Sequence, residues 1–366
     1  MPTFRPDVRE ISPYVPGRPI ADVAREKGLD PDDIVKLASN ERPVPPLPAV
    51  QEAMKESIGE SHRYPDNEAR DLRARLAEVL EVDYSEVLLG AGSSELLRMV
   101  AAATGGPGTS AVYAWPSFVV YRLASIMAMT DRIEVSLDSQ HRHDLDAMLA
   151  AIRDDTTIVY ICNPNNPTGT IRSFHEIAAF VEAVPERIMV LVDEAYHEYV
   201  NDPSYATAMP LALERPNVLV TRTFSKVHGL AAHRVGYGVT RSENVVELRK
   251  AQAPFSVTAV GQVGALASLD HLDDIAERVR ENTEGRDLIQ TMLSGLKVEY
   301  VASQANFVYV RVGGRSTGEI TAAFLDHGVI LRPFSDGWVR VTIGSEPENR
   351  RFLDALEAER SRLALS

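Results

Sequence analysis

The sequence predicts an α/β protein, with a large domain on a central seven-stranded, mostly parallel sheet and a smaller α+β domain. Three observations predict it. Short runs that are apolar on both faces alternate with helix-like segments from residue 86 to residue 240, as a parallel sheet covered on two sides requires. The alternation stops near residue 245, where a helix-rich stretch leads to short strands and a terminal helix. The length, 366 residues, suits two domains of roughly 150 residues each.

The elements follow in order. The first 50 residues hold Pro13, Pro16, Pro19, Pro31, Pro43, Pro45, Pro46 and Pro48. Proline fixes φ and removes a donor, so this stretch reads as an extended arm. Tyr14, Ile20, Ile34, Val35 and Leu37 give the arm something to bury against the body. Residues 67–82 place Leu72, Leu76, Val79 and Leu80 on one helical face. Seven strand-like runs come next, at 86–90, 109–115, 131–137, 156–163, 188–193, 217–224 and 233–240. Helical segments at 93–103, 117–129, 143–153 and 173–184 separate most of them. Beyond a helix-rich stretch at 243–295, strands are expected at 297–301, 305–311 and 338–343. The expected division is a large domain over 46–245, with the arm (1–45) and 246–366 belonging to the small domain.

Charge and cysteine usage narrow the function. Lys and Arg total 38 against 52 Asp and Glu, a net charge of −14. That balance argues against nucleic acid and against an anionic membrane surface as partners. The single cysteine, Cys162, excludes an internal disulfide and a cysteine-based zinc cluster, and no metal site is expected. The opening residues lack an apolar leader and no apolar run approaches 18 residues, so a cytoplasmic location is expected.

Four clusters fall at strand ends, where open α/β sheets bind ligands. GAGSSE (90–95) leaves a strand and opens a helix. Its glycines allow close backbone approach, and its free amides favour an anion. CNPNNPTGT (162–170) follows an apolar strand, with Asn163, Asn165 and Asn166 as amide donors either to a ligand or to their own turn. Cys162 beside it reads as a core residue, since no cation nearby in sequence would activate it. VDEAYHEY (192–199) sets Asp193 at the end of a buried strand, where a carboxylate needs a partner. Glu194 reads there as a helix N-terminal acid. TRTFSKVHGLAAHRVGYG (221–238) carries Lys226 between two apolar strands, with Arg234 eight residues on. A desolvated lysine becomes nucleophilic and suits Schiff-base chemistry. Lysine, aspartate and an anion loop together point to pyridoxal 5'-phosphate.

SNE (39–41), YPD (64–66), NPNNPTG (163–169), DEAY (193–196), SK (225–226) with Arg234, SQANF (303–307) and VRVTIG (339–344) occur in one order. In this the chain resembles the fold-type I, pyridoxal-phosphate-dependent aminotransferases of the histidinol-phosphate aminotransferase family, over nearly its whole length. The resemblance implies that Lys226 carries the cofactor aldehyde and then moves the substrate proton. Asp193 would pair with the pyridine nitrogen, while Asn166 and Tyr196 would hold the ring oxygen. Ala91, Gly92, Ser93, Thr223, Ser225 and Arg234 would bind the phosphate. Phe118 would stack on the ring, and Tyr64 would reach the cofactor phosphate of the neighbouring subunit in a homodimer. Tyr14, Asn166, Asn306, Arg332 and Arg340 would line the substrate side, with Arg340 on the carboxylate.

Two substrate readings follow from the resemblance. Phe118, SQANFVYV and RPFSDGWVRVTIG look like the aromatic amino acid branch, so the expected reaction moves an amino group from an aromatic amino acid to 2-oxoglutarate. Histidinol phosphate is the alternative donor, and its phosphate could be held by Tyr14, Arg332 and Arg340. Decarboxylation, as of threonine phosphate, uses the same cofactor and fold type. Arg42 and His233 depart from the family pattern. Arg42 is either a solvated arm residue or a guide for 2-oxoglutarate at the site entrance, and His233 reads as a core histidine.

Overall fold

A computed structural model of the chain describes residues 2–14, 16–313 and 315–363. The strands in chain order are β1 (Val35–Lys36), β2 (Val87–Gly90), β3 (Ser110–Trp115), β4 (Asp131–Ser136), β5 (Thr156–Cys162), β6 (Met189–Asp193), β7 (Val218–Thr223), β8 (Gly236–Val239), β9 (Tyr300–Val301), β10 (Phe307–Arg311), β11 (Val329–Ile330), β12 (Arg332–Pro333) and β13 (Trp338–Thr342).

Strands β2 to β8 form one seven-stranded sheet in the order β2-β8-β7-β6-β5-β3-β4. Every pairing is parallel except the two made by β8. Side chains on a strand alternate between faces, and apart from the exposed edge strand β4 both faces here are buried. Val112, Val159, Ile161, Val190 and Val192 pack on one side with Ile177 and Phe180 of the helix Phe174–Ala183. Ala111, Tyr113, Ile158, Tyr160 and Leu191 pack on the other with Leu96, Leu97 and Val100 of the helix Ser93–Thr104. Two-sided burial explains why these strands read as continuous apolar runs.

The register brings the ends of strands far apart in sequence to one edge. Cys162 pairs with Asp193, and Asp193 with Thr221. Gly236, the first residue of the antiparallel β8, pairs with Gly90 on one side and Thr223 on the other. The C-terminal ends of β2, β5, β6 and β7 therefore open onto a common space.

The smaller sheet is antiparallel, in the order β12-β13-β10-β9. It packs through Val308, Val310, Val339 and Val341 on Phe324, Phe352 and Leu356. The helix Ala259–Leu269 contributes Ala265 and Leu269 to a cluster with Val50, Met54, Leu72 and Leu76. A domain boundary at residue 245 divides that cluster. The 24-residue helix Leu272–Gly295 then leads toward the small sheet.

The arm differs from the extended expectation. It contains helices Pro6–Glu10 and Ile20–Lys27 and a 3₁₀ turn at Pro31–Asp33. Pro6 and Pro31 each open a helical turn, where a missing N–H costs nothing. Val23, Ala24, Ile34 and Ala38 do pack against Leu325 and Ile330, and β1 pairs in parallel with β11. The arm is thus seated on the small domain. Tyr14 is not part of that packing and is 57% exposed.

Candidate active site

A cavity of about 260 Å³ lies beyond the strand ends, lined by Lys226, Asp193, Tyr196, Asn166, Ser93, Thr223, Ser225, Arg234, Phe118, Tyr14 and Arg340 among others. Lys226 follows β7 and is half-buried in the cavity wall. Burial, with the Arg340 guanidinium next in weight, lowers its ammonium to about 8. Its Nζ lies 5.5 Å from the centre of the Tyr196 ring. A lysine of this kind holds a far larger neutral fraction near physiological pH than an ordinary lysine, and that fraction is available as a nucleophile.

Asp193 ends β6 and is 1% exposed. Tyr121 Oη donates to its Oδ2 at 2.9 Å and Thr221 Oγ1 to its Oδ1 at 3.3 Å. Burial outweighs those hydrogen bonds and raises the carboxyl to about 6. Its neighbour Glu194 is not a helix-terminal acid. It is buried and accepts from Arg222 Nε (3.0 Å), Arg222 Nη2 (2.9 Å), Thr207 Oγ1 (2.8 Å) and the Ala208 N–H (2.7 Å). Adjacent carboxylates thus have separate tasks: Glu194 is satisfied by structure, and Asp193 faces the cavity.

The three asparagines after β5 also separate. Asn163 closes its own turn, donating to Arg172 O and accepting from Arg172 N–H. Asn165 is held by Ser117, Thr168 and Pro116. Only Asn166 reaches the cavity; its Oδ1 accepts from Arg340 Nη1 at 2.6 Å. Cys162 is a buried core residue, its thiol pushed up to about 12 by burial.

The anion loop runs into the helix Ser93–Thr104. Gly92 has φ +74°, and a methyl group there would overlap Arg234 Nη2. A methyl on Gly236 would overlap the Ser93 amide nitrogen. Both positions need glycine because two backbones and a guanidinium meet there. The Ser225 N–H donates to Thr223 Oγ1 at 3.1 Å, and Arg234 Nη1 donates to Ser225 Oγ at 3.3 Å. Ala91 departs from its expected part, because its N–H donates to the Glu95 carboxylate. Ser94 lines the cavity in its place.

Toward the mouth, Arg340 is 8% exposed and its Nε has no hydrogen-bond partner among the described residues. Nη2 donates to Ala38 O at 2.7 Å. Burial lowers the guanidinium to about 10, and Arg332 adds to the effect. Arg332 and Arg340 are direct cross-strand partners, with Arg332 stacked 5.6 Å over the ring of Tyr14. Phe118 is half-buried and meets Tyr121 edge-on at 5.8 Å.

Four expected residues lie elsewhere. Asn306 and Arg42 line a second cavity, of about 370 Å³, against the helix Leu272–Gly295. Arg42 is neither solvated nor at the entrance: it is 7% exposed, pairs with Glu281 and donates to Arg278 O at 3.1 Å. Tyr64 is 81% exposed and stacks on Phe255 at 4.6 Å, outside the cavity of its own chain. His233 is half-exposed rather than buried, in a 3₁₀ turn before Arg234. Sequence reading missed Asn40 and Tyr121. Asn40 donates to Tyr196 Oη at 2.9 Å. Tyr121 stands three residues after Phe118, in the first turn of the helix Val120–Met127, and its closeness to Phe118 was its signal.

Among the described residues, no group of three His, Cys, Asp or Glu is placed to hold a metal ion. No described helix is long and apolar enough to cross a membrane.

Comparisons with known proteins agree with this geometry. The family model "Aminotransferase class I and II" matches residues 32–356. The chain is 43% identical over 358 residues to histidinol-phosphate aminotransferase 1 of Thiobacillus denitrificans, covering 97% of this chain and 92% of that one. It is 41% identical over 353 residues to an aromatic amino acid aminotransferase of Thermobifida fusca, covering 96% of each. The crystal structure of histidinol-phosphate aminotransferase from Sinorhizobium meliloti with pyridoxal-5'-phosphate superposes with a TM-score of 0.89 at 25% identity, over 98% of both chains.

Proposed function

The chain belongs to the class I and II aminotransferase family, a pyridoxal-phosphate-dependent enzyme, and we propose that it moves the amino group of histidinol phosphate to 2-oxoglutarate. The residues present fit the cofactor. A half-buried lysine lowered to about 8 would meet its aldehyde, and the buried carboxylate of Asp193 would meet its pyridine nitrogen. Gly92 and Gly236 keep clear the loop that would take its phosphate.

When bound, pyridoxal phosphate supplies an aldehyde for the donor nitrogen and a protonated ring that accepts the electron pair of the broken Cα–H bond. The protein does the rest. Asp193 holds a proton on the ring nitrogen, and Tyr121 and Thr221 hold Asp193. Asn166 and Tyr196 would orient the ring oxygen, and Phe118 would cover the ring. Ser93, Thr223, Ser225 and Arg234 bind the phosphate, with the amides that open the helix Ser93–Thr104. Lys226 Nζ would carry the proton from the donor's Cα to the former aldehyde carbon on the other side of the nitrogen. Arg340 and Arg332 fix the donor's anionic end.

The observation that carries the donor assignment is the Arg332–Arg340 pair. Like charges directly opposite on neighbouring strands destabilise a sheet, and Arg340 is buried, feels the Arg332 charge and donates to the neutral acceptors Asn166 and Ala38. A phosphate dianion answers the buried Arg340, set beside a second cation, better than a single carboxylate does. The Thiobacillus relative supports the same choice over the aromatic donor expected from sequence. The aromatic reading stands second, supported by the Thermobifida relative. In a homodimer, exposed Tyr64 would complete the partner's phosphate site, and the enzyme would work in the cytoplasm.

A single-turnover absorbance scan with histidinol phosphate, phenylalanine and tyrosine tests the proposal. Fast conversion of the bound cofactor to its amine form by histidinol phosphate is expected. Conversion by the aromatic amino acids alone would replace the proposal with the second reading.

A further inference from the structure

We infer that Asn40 is a positioning residue that forces the Tyr196 hydroxyl to donate its proton into the cofactor cavity. The inference rests on the reading that Tyr196 holds the cofactor's ring oxygen. Asn40 comes from the arm, whereas Asn166 and Tyr196 lie in the loops that follow β5 and β6 of the large sheet.

Asn40 is 1% exposed, in the left-handed region at φ +54°. Each of its polar groups has one task. Its N–H donates to Thr342 Oγ1 at 2.9 Å, and its carbonyl accepts from Asn306 Nδ2 at 3.1 Å. Thr342 Oγ1 donates to Asn40 Oδ1 at 3.2 Å. With Oδ1 occupied by a donor, the amide is oriented so that Nδ2 faces Tyr196, donating to Oη at 2.9 Å. Asn166 Nδ2 approaches the same Oη from the cavity side at 3.4 Å.

A phenol oxygen carries one proton and two acceptor positions. Both acceptor positions of Tyr196 face amide donors, so its proton is left the remaining direction. Burial also holds the phenol well above its ordinary acidity range, which keeps that proton in place. The Asn40 amide therefore sets the direction of the tyrosine hydrogen bond rather than merely filling space. Because Thr342 and Asn306 belong to the small domain, seating of that domain on the arm maintains the arrangement.

A hydrogen bond donated to the ring oxygen favours its anionic form and lowers the pH at which the bound cofactor's visible band changes. The test is that pH midpoint, read from absorbance titrations of the holoenzyme. Asn40→Gly keeps the left-handed backbone and removes the amide; Asn40→Asp replaces the donor with an acceptor that draws the tyrosine proton away. Asn40→Gly should raise the midpoint by about half a pH unit and Asn40→Asp by about one or more. In a Tyr196→Phe background the Asn40→Gly shift should vanish. An equal shift with and without the Tyr196 hydroxyl, or none in Asn40→Gly while Tyr196→Phe alone shifts, overturns the inference and leaves the Tyr196 reading intact. A Tyr196→Phe midpoint equal to wild type removes that reading and the inference together.

Discussion

Arg340 Nη1 donates to Asn166 Oδ1 at 2.6 Å, joining the small-domain strand β13 to the turn that follows β5 in the large sheet. The residue assigned to the substrate's anion is thereby fixed to a residue assigned to the cofactor's ring oxygen. A lysine at 340 would keep the charge but lose the planar fork that reaches Asn166 and Ala38 together. Arg340→Lys should raise KM for histidinol phosphate by about tenfold or more, with kcat falling less. Steady-state kinetics checks this, and an unchanged KM would remove Arg340 from the substrate site.

Lys226 gives a pH dependence whose sign is fixed. Its neutral form attacks the cofactor aldehyde, and burial sets the loss of its proton at about 8. The rate of cofactor loading onto apoenzyme should rise with pH through that region and level off above it. Stopped-flow absorbance from pH 6 to pH 10 measures it, and a flat profile would contradict the assignment. Lys226→Ala should abolish turnover.

Asp193 destabilises the cofactor-free fold. Its carboxyl titrates at about 6 in the folded chain, against roughly 3.9 unfolded. Between those values the folded state holds more protons, so stability falls as pH rises through that window, and the cost is complete above it. Asp193→Asn should therefore stabilise apoenzyme at pH 7 by about 1–3 kcal/mol, with little gain at pH 4. Urea denaturation at both values tests this. Turnover of the same variant should fall by about 10²-fold or more, because a neutral ring is a poor electron acceptor.

Gly92→Ala brings a methyl against Arg234 Nη2 at a backbone angle that disfavours alanine. Cofactor affinity should drop by about tenfold or more as the arginine is displaced. Titration of apoenzyme with pyridoxal phosphate reads the change.

Tyr64 can be assigned to a subunit by mixing. In a hybrid of Lys226→Ala and Tyr64→Ala chains, one site holds a working lysine and receives Tyr64 from its partner. Random reassortment should restore about a quarter of wild-type activity from two nearly inactive parents. No recovery on mixing would place the function of Tyr64 within its own chain.

The sequence by itself determined the large sheet and the chemistry at its edge. Two-sided burial writes the inner strands as apolar runs, while the exposed edge strand β4 shows instead as an alternation of polar residues with Ile133 and Val135. The short pairings β1–β11 and β12–β13 left no such mark, because two residues carry no periodicity. Helical turns in the arm were hidden by prolines that break helices inside but open them at the first position. Tertiary structure alone decided which of three neighbouring asparagines faces the cavity, and that Glu194 answers Arg222 while Asp193 does not. It also decided that Arg42 and Asn306 turn to a second cavity and that Asn40 reaches Tyr196 from 156 residues away. Residue type and local pattern specify what a side chain can do. Which partner it meets depends on strand register and domain packing, which residues distant in the chain set together.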